Sequence, residues 1–308
     1  MRQSNDTGVI EPANGIRTQR ERLIAYYEGA ALDFGEWSRG FNMHFGYYRR
    51  GLNPFAREAM LNEMNRQVLQ RLRLAPDAPG LIVDLGCGVG ATVRCAASMF
   101  PRKRILGMTI VPWQVETGNA WNRRVGLRAR ATLCLADYTA TGLAAASADG
   151  AVAIESACHA DGAGKEPFVR EAARIVRPGA RLVVADAFRK GGARPLDPVS
   201  ARLHDVLCRT FVLPGLAHID AFVEALERHG FTDVLVEDAS WRVAPSVLQA
   251  PIAVIWFALK KAARREPLRE ERVNNLKGSF VSALLGANRF RFGYYLVSAR
   301  RREGSEQE

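Results

Sequence analysis

The sequence predicts an α/β fold built on a doubly wound parallel sheet. From residue 80 onward, short apolar segments alternate with amphipathic segments of helical period, and Gly-rich or Pro-Gly turns separate them. The chain of 308 residues is long enough to bury a core, and it shows no internal repeat. Strands that alternate with helices at this spacing form parallel sheets with helices on both faces.

Two helices are predicted before the sheet. Apolar residues recur at helical spacing in 16–31 and again in 53–74. The segment between them, 33–48, is rich in aromatic residues and Gly and has no clean periodicity, so we expect an ordered loop. Together these elements form a predicted N-terminal helical cap and substrate segment over 16–78. Residues 1–15 are polar, and we expect a disordered tail there.

The alternating part of the chain forms the predicted core domain, 79–300. Each predicted strand is short and apolar, and several of the turns between elements carry Gly or Pro. Strands are predicted at 81–85, 104–108, 131–136, 150–154, 181–187, 234–236 and 289–299, and helices at 91–100, 112–125, 165–176 and 218–229.

A mostly helical stretch separates the last two predicted strands. It covers 244–285, which is too long for a connection and too short for an independent domain. We interpret it as an insertion that packs over the open edge of the sheet, and we assign 240–288 as a helical insertion or lid within the core domain. Residues 301–308 form a predicted charged tail.

The formal net charge of +11 is concentrated near the C-terminal end, since 260–303 holds twelve basic residues against four acidic ones. Such a surface favours an anionic partner. The segment 249–265 combines an apolar helix with flanking cations, which is the composition of a helix at a membrane surface. A solvated basic face over a buried helix explains it equally well. Scarce Lys and the lack of a recognised RNA-binding module argue against nucleic acid as a partner.

The five cysteines are scattered, without a C-x-x-C pair or a His spacing suited to zinc, so we expect a reducing compartment and no structural metal. Residues 1–15 lack the apolar region of a secretory signal, and the longest apolar run, 250–259, is too short to cross a bilayer. We therefore expect a cytoplasmic protein whose basic C-terminal region is a candidate membrane contact. The oligomeric state stays open.

The segment VDLGCGVGAT, 83–92, is the most informative motif. An apolar strand ends in Asp84, and Gly86, Gly88 and Gly90 follow in a turn that opens a helix, so that backbone can approach a ligand closely. This G-x-G-x-G spacing differs from the dinucleotide fingerprint G-x-G-x-x-G. It resembles motif I of class I S-adenosylmethionine-dependent methyltransferases. The resemblance implies their Rossmann-like sheet, S-adenosylmethionine as cofactor, no metal, and these four residues around the cofactor's amino-acid portion.

Two further segments resemble the cofactor site of that family. LADY, 135–138, is similar to the segment whose Asp meets the adenine amino group, which implies Asp137 and its neighbour Tyr138. Most class I members carry an acid for the ribose hydroxyls at the end of the second strand, but this chain has GMTIVPWQV there. That segment resembles tocopherol C-methyltransferases and cyclopropane fatty acid synthases, so Thr109 and Gln114 are the implied ribose contacts.

Motifs outside the cofactor-binding segments resemble a narrower group of methyltransferases. AIESACHA, 153–160, is similar to the AIEATCHA motif of sterol C-methyltransferases, and GEWSRGFNMHFGYY, 35–48, resembles their aromatic substrate segment. The tail from 246 to 300, with RFGYYLVSARR, resembles tocopherol methyltransferases. These similarities run from residue 26 to 300. They imply methyl transfer to a carbon of an isoprenoid-like hydrophobic substrate, such as squalene or another terpene, a sterol or a prenylated quinol.

Carbon methylation of an alkene leaves a carbocation, which needs aromatic faces nearby and a base to remove a proton. Residues at the carboxyl ends of parallel strands face the ligand crevice, which favours Glu155 as that base or as a cation stabiliser. A carboxylate there also suits cofactor binding or a helix cap, and His159 is a candidate proton relay. The candidate catalytic residues are Glu155, His159, Tyr47 and His44, and the candidate pocket walls are Trp37, Phe45, Tyr48 and Trp241.

Two alternatives stay open. His44 as a base would suit O- or N-methyl transfer to a hydrophobic small molecule. A non-catalytic protein with the same cofactor fold would use its basic end to bind membrane or RNA. The sequence also leaves open whether the substrate carries a diphosphate.

Overall fold

A computed structural model describes residues 18–192, 194–263 and 270–303 of the chain. The predicted tail 1–15 lies outside the described residues, as do residues 304–308 of the predicted charged tail. Arg301, assigned to that tail, is instead the last residue of a strand. None of the described helices combines the length and apolar character that a membrane span requires.

The described chain forms one eight-stranded sheet, and this confirms the predicted α/β class. Its order is β3-β2-β1-β4-β5-β8-β7, with the short β6 paired to β5. The β1, β2, β3, β4 and β5 strands run parallel, whereas β8 is antiparallel to both β5 and β7. The strands are β1 Gly80–Leu85, β2 Lys103–Thr109, β3 Ala131–Leu135, β4 Ala148–Ile154, β5 Val176–Arg189, β6 Ala217–His218, β7 Phe231–Asp238 and β8 Phe292–Arg301.

Helices cover both faces of the sheet, as a doubly wound fold requires. Ala151 of β4 belongs to a buried cluster with Phe168 on one face, whereas the next residue, Val152, belongs to a cluster with Met64 on the other. The helices are α1 Gln19–Gly29, α2 Ala31–Trp37, α3 Arg57–Gln70, α4 Ala91–Met99, α5 Pro112–Arg124, α6 Glu166–Ile175, α7 Pro198–Thr210, α8 Ile219–Arg228, α9 Ser240–Ala263 and α10 Glu270–Ala287.

Two helices depart from the sequence-based expectation. The α2 helix lies partly inside 33–48, where the sequence predicts a loop, and the Phe34 ring stacks on Tyr27 of α1 with ring centroids 5.9 Å apart. This packing stabilises a helix that is too short to show periodicity. The α7 helix was missed, although Asp197 caps it by accepting a 2.9 Å hydrogen bond from the Ser200 N–H and Pro198 begins its first turn.

The predicted position of the helical insertion is wrong. The α9 and α10 helices pack on each other and on α3, α7 and β8, whereas the strand at that edge of the sheet is β7. The cause is the direction of β8. Phe292, near the start of β8, pairs with Arg189 at the carboxyl end of β5, so the chain enters β8 from the ligand-binding end of the sheet. The insertion therefore lies beside the crevice and not over the edge.

Candidate active site

The glycine turn after β1 brings backbone to the carboxyl end of the sheet. Gly86 and Gly88 have φ values of +89° and +52°, a conformation that favours glycine. The Gly86 N–H donates a 2.9 Å hydrogen bond to the Met108 carbonyl oxygen of β2. A Cβ atom on Gly88 would lie 2.8 Å from the Met43 Sδ. The turn thus leaves an open space beside its backbone, here called the cradle, which a side chain at Gly88 would fill.

The Asp84 carboxyl group lies at this cradle, and one of its oxygens has no hydrogen-bond partner among the described residues. Its side chain is 3% exposed, and its Oδ2 atom is buried without a hydrogen-bond partner among the described residues. Burial raises the pKa of the Asp84 carboxyl to about 7. A buried acceptor that lacks a donor is costly, so this position fits a cationic donor supplied by a bound molecule.

The cradle opens into a cavity of about 290 Å³. The Thr109 hydroxyl donates a 2.5 Å hydrogen bond to the Gln114 Oε1, and both side chains are buried in its wall. The Asp137 Oδ1 accepts hydrogen bonds of 2.9 and 2.7 Å from the Thr139 N–H and hydroxyl. Seven of the eight predicted cofactor residues line this cavity: Asp84, Gly86, Gly88, Thr109, Gln114, Asp137 and Tyr138.

The eighth predicted cofactor residue has a different place. Gly90 caps the start of α4 with a φ of +81° and is not in the cavity wall. Tyr138 lines the cavity, but its hydroxyl donates a 2.9 Å hydrogen bond to the Ser156 carbonyl oxygen. The Tyr138 ring meets Phe168 edge to face, so this side chain also joins the cavity wall to the core.

Glu155 stands between the first cavity and a second one of about 220 Å³. It follows β4 with a left-handed φ of 48°, and its N–H donates a 2.8 Å hydrogen bond to the Ala185 carbonyl oxygen. Its Oε1 accepts hydrogen bonds of 2.7 Å from the Phe45 N–H and 2.9 Å from the Tyr294 hydroxyl. Burial raises the pKa of the Glu155 carboxyl to about 8. Glu155 thus has a strained backbone conformation, and its half-buried side chain lines both cavities.

The second cavity is mostly apolar and aromatic. Trp37 and Phe45 line it, as the sequence predicts. Asp186, near the carboxyl end of β5, also lines it and accepts hydrogen bonds of 2.9 Å from the Cys158 N–H and 2.8 Å from the Ala187 N–H. Burial raises the pKa of the Asp186 carboxyl to about 6. The Asp186 charge further raises the pKa of Glu155.

His159 lies at the junction of the two cavities. Its Nε2 atom is 3.1 Å from the Tyr27 hydroxyl, and both residues line both cavities. Burial lowers the pKa of the His159 imidazole to about 4, so the ring is neutral near pH 7. The turn that carries His159 is held by buried Lys165, whose Nζ donates hydrogen bonds of 3.1 Å to the Cys158 carbonyl oxygen and 2.7 Å to that of Ala160.

His44 also lines both cavities, but both its ring nitrogens are engaged. Nδ1 lies 2.9 Å from the Phe45 carbonyl oxygen, and Nε2 lies 3.0 Å from the Asn65 Oδ1. Burial lowers the pKa of the His44 imidazole. This geometry anchors the backbone of Phe45, whose N–H holds Glu155, and leaves neither ring nitrogen directed at a substrate.

Three of the residues predicted as catalytic or as pocket walls do not line either of these two cavities. Tyr47 packs against the core with the Arg242 guanidinium 5.9 Å from its ring centroid. The Tyr48 N–H donates a 2.7 Å hydrogen bond to the Arg242 carbonyl oxygen, and its half-buried side chain lines neither cavity. Trp241 is 76% exposed and lines only a third cavity, farther from Glu155.

Sequence reasoning missed three residues that the structure places at the site: Tyr27, Asp186 and Tyr294. Asp186 had a signal, because it is an acid near the carboxyl end of an apolar strand, as Asp84 and Glu155 are. Tyr294 belongs to the segment RFGYYLVSARR, and strand alternation puts it on the opposite face from Tyr295. Tyr27 had no signal beyond its helical spacing.

Comparison with known proteins agrees with this arrangement. A family model described as a methyltransferase domain matches residues 83–184. Tocopherol O-methyltransferase of Arabidopsis thaliana is 26% identical over 91% of this chain and 81% of its own length. Methyltransferase GfsG of Streptomyces halstedii is 30% identical over 67% of this chain and 71% of its own. The 24-methylenesterol C-methyltransferase 2 of Oryza sativa is 28% identical over 79% and 62%.

Solved structures share the fold. Cyclopropane synthase MmaA2 of Mycobacterium tuberculosis superposes with a TM-score of 0.77 at 18% identity, over 93% of this chain and 100% of that one. Geranyl diphosphate C-methyltransferase of Streptomyces coelicolor, solved with S-adenosyl-L-homocysteine, gives a TM-score of 0.68 at 15% identity, over 94% and 100%. With the glycine cradle, the family match and these relatives together, the chain belongs to the class I S-adenosylmethionine-dependent methyltransferases, and S-adenosylmethionine is its cofactor.

Proposed function

We propose that this enzyme transfers a methyl group to a carbon of an isoprenoid-like apolar substrate and that Glu155 removes the proton afterwards. The observation that carries the proposal is the position of Glu155, whose half-buried side chain lies in the wall shared by the cofactor cavity and a mostly apolar cavity. Relatives named for methylation of a sterol carbon and of geranyl diphosphate support this substrate class.

We assign the cofactor cavity by the fit of its residues. Asp84 and the backbone at Gly86 and Gly88 would hold the amino-acid portion, because Asp84 offers a buried acceptor without a donor among the described residues. The remaining cavity-wall residues would contact the rest of the cofactor: Thr109 and Gln114 the ribose, and Asp137 and Tyr138 the adenine. When bound, S-adenosylmethionine supplies an electrophilic methyl group on a positively charged sulfur.

The residues around Glu155 suit the chemistry that follows. An alkene carbon that gains the methyl group leaves its neighbour cationic, and the loss of a proton from an adjacent carbon restores a double bond. The Glu155 carboxylate, held in place by Phe45 and Tyr294, would accept that proton. The apolar second cavity would exclude water that could otherwise trap the cation, and the Tyr27 ring in its wall would tolerate the charge.

We propose positioning roles for the two histidines. Neutral His159 would hold the Tyr27 hydroxyl, so that the Tyr27 ring stays between the cavities. His44 would fix the Phe45 backbone that donates to Glu155. Tyr47 and Tyr48 would act only through the packing of the segment that carries them, since neither lines the two cavities beside Glu155. Trp241 lines neither cavity and is exposed, so we propose no catalytic role for it.

The test is a turnover screen with purified protein and S-adenosylmethionine that carries a labelled methyl group. The substrate panel holds squalene, sterols, prenyl alcohols and their diphosphates, prenylated quinols, and phenols and amines of similar hydrophobicity, with products identified by mass. Label on an isoprenoid carbon is the expected result. Cofactor binding without any transfer would instead favour a non-catalytic protein with this fold.

A second candidate is O-methyl transfer, which the tocopherol relative favours because its name gives oxygen as the acceptor. Glu155 would then deprotonate a hydroxyl group presented in the apolar cavity. Label recovered on oxygen in the same screen would select this function and overturn carbon methylation.

We further propose that the protein binds an anionic membrane surface through the apolar face of α9 and α10. Residues on this face are exposed although they are large and apolar, and two of them are Trp241 and Trp256 at 76% and 68% exposure. The others are Leu248, Ile252, Ile255, Leu259, Phe280 and Leu284. The same part of the sequence holds the basic excess, so an apolar face and cations occur together.

Replacing Trp256 by serine is expected to weaken binding to vesicles about tenfold, because an aromatic ring no longer inserts at the interface. Co-sedimentation with vesicles of phosphatidylcholine and phosphatidylglycerol measures this. Val125→Ser is the matched control, since Val125 is 49% exposed at the end of α5, outside this face. Vesicles of phosphatidylcholine alone should bind less protein. Equal binding by the two variants would refute the membrane contact.

A further inference from the structure

A third cavity of about 360 Å³ lies between α9 and α10. It adjoins the 220 Å³ cavity beside Glu155, because six residues line both. The shared wall residues are Phe45, Ala187, Leu207, Leu216, Ser282 and Tyr294. Two neighbouring, mostly apolar cavities therefore lie in sequence from Glu155 past Tyr294 to the insertion, and the wall of the third cavity includes the exposed residues Trp241 and Leu248 of α9.

The far part of this space exists because the residues around it are small. Ala244 of α9 and Ala283 and Ala287 of α10 line the third cavity, and larger side chains there would reduce its volume. Natural cores rarely keep voids of this size, so the arrangement indicates room for a ligand.

The walls of the third cavity also define the chemistry of its ligand. Of the described residues that line it, only Arg289 is charged. The Arg289 guanidinium donates hydrogen bonds of 2.9 and 2.8 Å to the two carboxyl oxygens of Asp238 and lies 5.5 Å from the Trp241 ring centroid. Its charge is already neutralised, and the remaining wall is apolar or carries a hydroxyl group. This surface suits an uncharged hydrocarbon chain.

We propose that the third cavity is a second substrate subsite, which holds the distal part of a long apolar chain while the reacting alkene lies beside Glu155. This inference rests on the proposed function and adds substrate length to it. Each five-carbon unit that enters the subsite buries further apolar surface, so affinity rises with chain length until the space is filled. A ten-carbon prenyl chain would occupy only the cavity beside Glu155.

The experiment measures binding without methyl transfer. The fluorescent eighteen-carbon polyene cis-parinaric acid is bound to the full chain with S-adenosylhomocysteine present, and prenyl alcohols of ten, fifteen and twenty carbons displace it. We expect each added isoprene unit to tighten binding at least about tenfold. Wild-type affinity that stays level beyond ten carbons would overturn the subsite.

Variants then locate the effect. Ala283→Phe fills the third cavity and is expected to bring the affinity for the twenty-carbon alcohol to within about threefold of that for the ten-carbon alcohol, which itself stays unchanged. Ala287→Phe, at the exposed mouth, tests the same space with less risk to folding. Ala263→Phe is the control, because Ala263 is exposed at the end of α9 and lines none of the three cavities. Equal weakening for all chain lengths would contradict the proposal.

These assays can reject the proposed function and the second substrate subsite independently of each other. Length-dependent binding that Ala283→Phe removes, without methylation of any isoprenoid, would keep the subsite and reject the proposed function. Methylation of an isoprenoid carbon with no length dependence in binding would keep the proposed function and reject the subsite.

Discussion

Glu155→Gln is expected to lower the rate at which the methylated alkene product forms by about 10²–10⁴-fold, because Glu155 acts in the proton loss that completes it, while S-adenosylmethionine affinity stays within about threefold of wild type. Glutamine keeps the shape of the side chain and its acceptor oxygen, so Phe45 and Tyr294 can still donate to it. It cannot take up a proton. Single-turnover formation of the labelled alkene product, identified by mass, measures the rate, and calorimetry measures the affinity.

The matched control is the same Glu-to-Gln change at an exposed position away from the two cavities. Glu116 is exposed on α5, and Glu116→Gln should leave both quantities unchanged. Full activity in Glu155→Gln would show that the carboxylate has only a structural role. A parallel loss of cofactor affinity would instead assign Glu155 to cofactor binding, the alternative that the sequence left open.

The pH dependence of turnover gives a second test of Glu155. Burial raises its pKa to about 8 in the protein without cofactor, and only the ionised form can accept a proton. The positive charge of the bound cofactor favours that ionised form, so the acid limb of the kcat profile should lie below pH 8. Tyr294→Phe removes a hydrogen bond that lowers the pKa of Glu155. We expect the acid limb to move to higher pH, and an unmoved limb would exclude Glu155 as the titrating group.

Asp84→Asn is expected to weaken S-adenosylmethionine binding about 100-fold, because a buried carboxylate that pairs with a cationic donor is lost. The ligand-free variant should unfold at the same temperature or higher, since the wild type buries Oδ2 without a partner among the described residues. That second result separates a binding defect from a folding defect. Asp77→Asn, in an exposed turn, is the control.

The affinity of the wild type should also depend on pH. Burial raises the pKa of Asp84 to about 7, and the contact that we propose with the cofactor requires the ionised form. Below pH 7 the ionised fraction falls about tenfold for each pH unit, and the affinity falls with it. Asp84→Asn removes this dependence. An affinity that is constant between pH 5 and 8 in the wild type would contradict the assignment of Asp84.

The sequence predicts the core sheet and the residues that line the first cavity better than those that line the second. Strands such as β1 are short apolar runs, and the glycine turn after Asp84 is encoded within ten residues, so local pattern suffices. The second cavity instead gathers side chains from distant segments. Tyr27 lies before the sheet in the sequence, whereas Tyr294 lies in the last described strand. Neither segment carries a pattern that predicts its contact with the other. Packing across the fold decides their contacts.

Residue type also fails to predict burial in the insertion. Trp241 was assigned to the pocket wall because it is aromatic, yet it is 76% exposed. The sequence pattern of α9 is apolar along most of its length, so no polar stripe identifies the face that packs on α3 and β8. Only the packed structure shows that the apolar residues are divided between the third cavity and the surface.

The position of β8 has a consequence for synthesis of the protein. It is the last strand described in the chain but lies between β5 and β7 in the sheet. While the ribosome makes α9 and α10, the emerging chain therefore holds β5 with an unpaired edge and β7 without its neighbour, an arrangement that invites pairing with other chains. Tyr294 arrives with β8, so the hydroxyl that holds Glu155 is added by the strand that closes this edge.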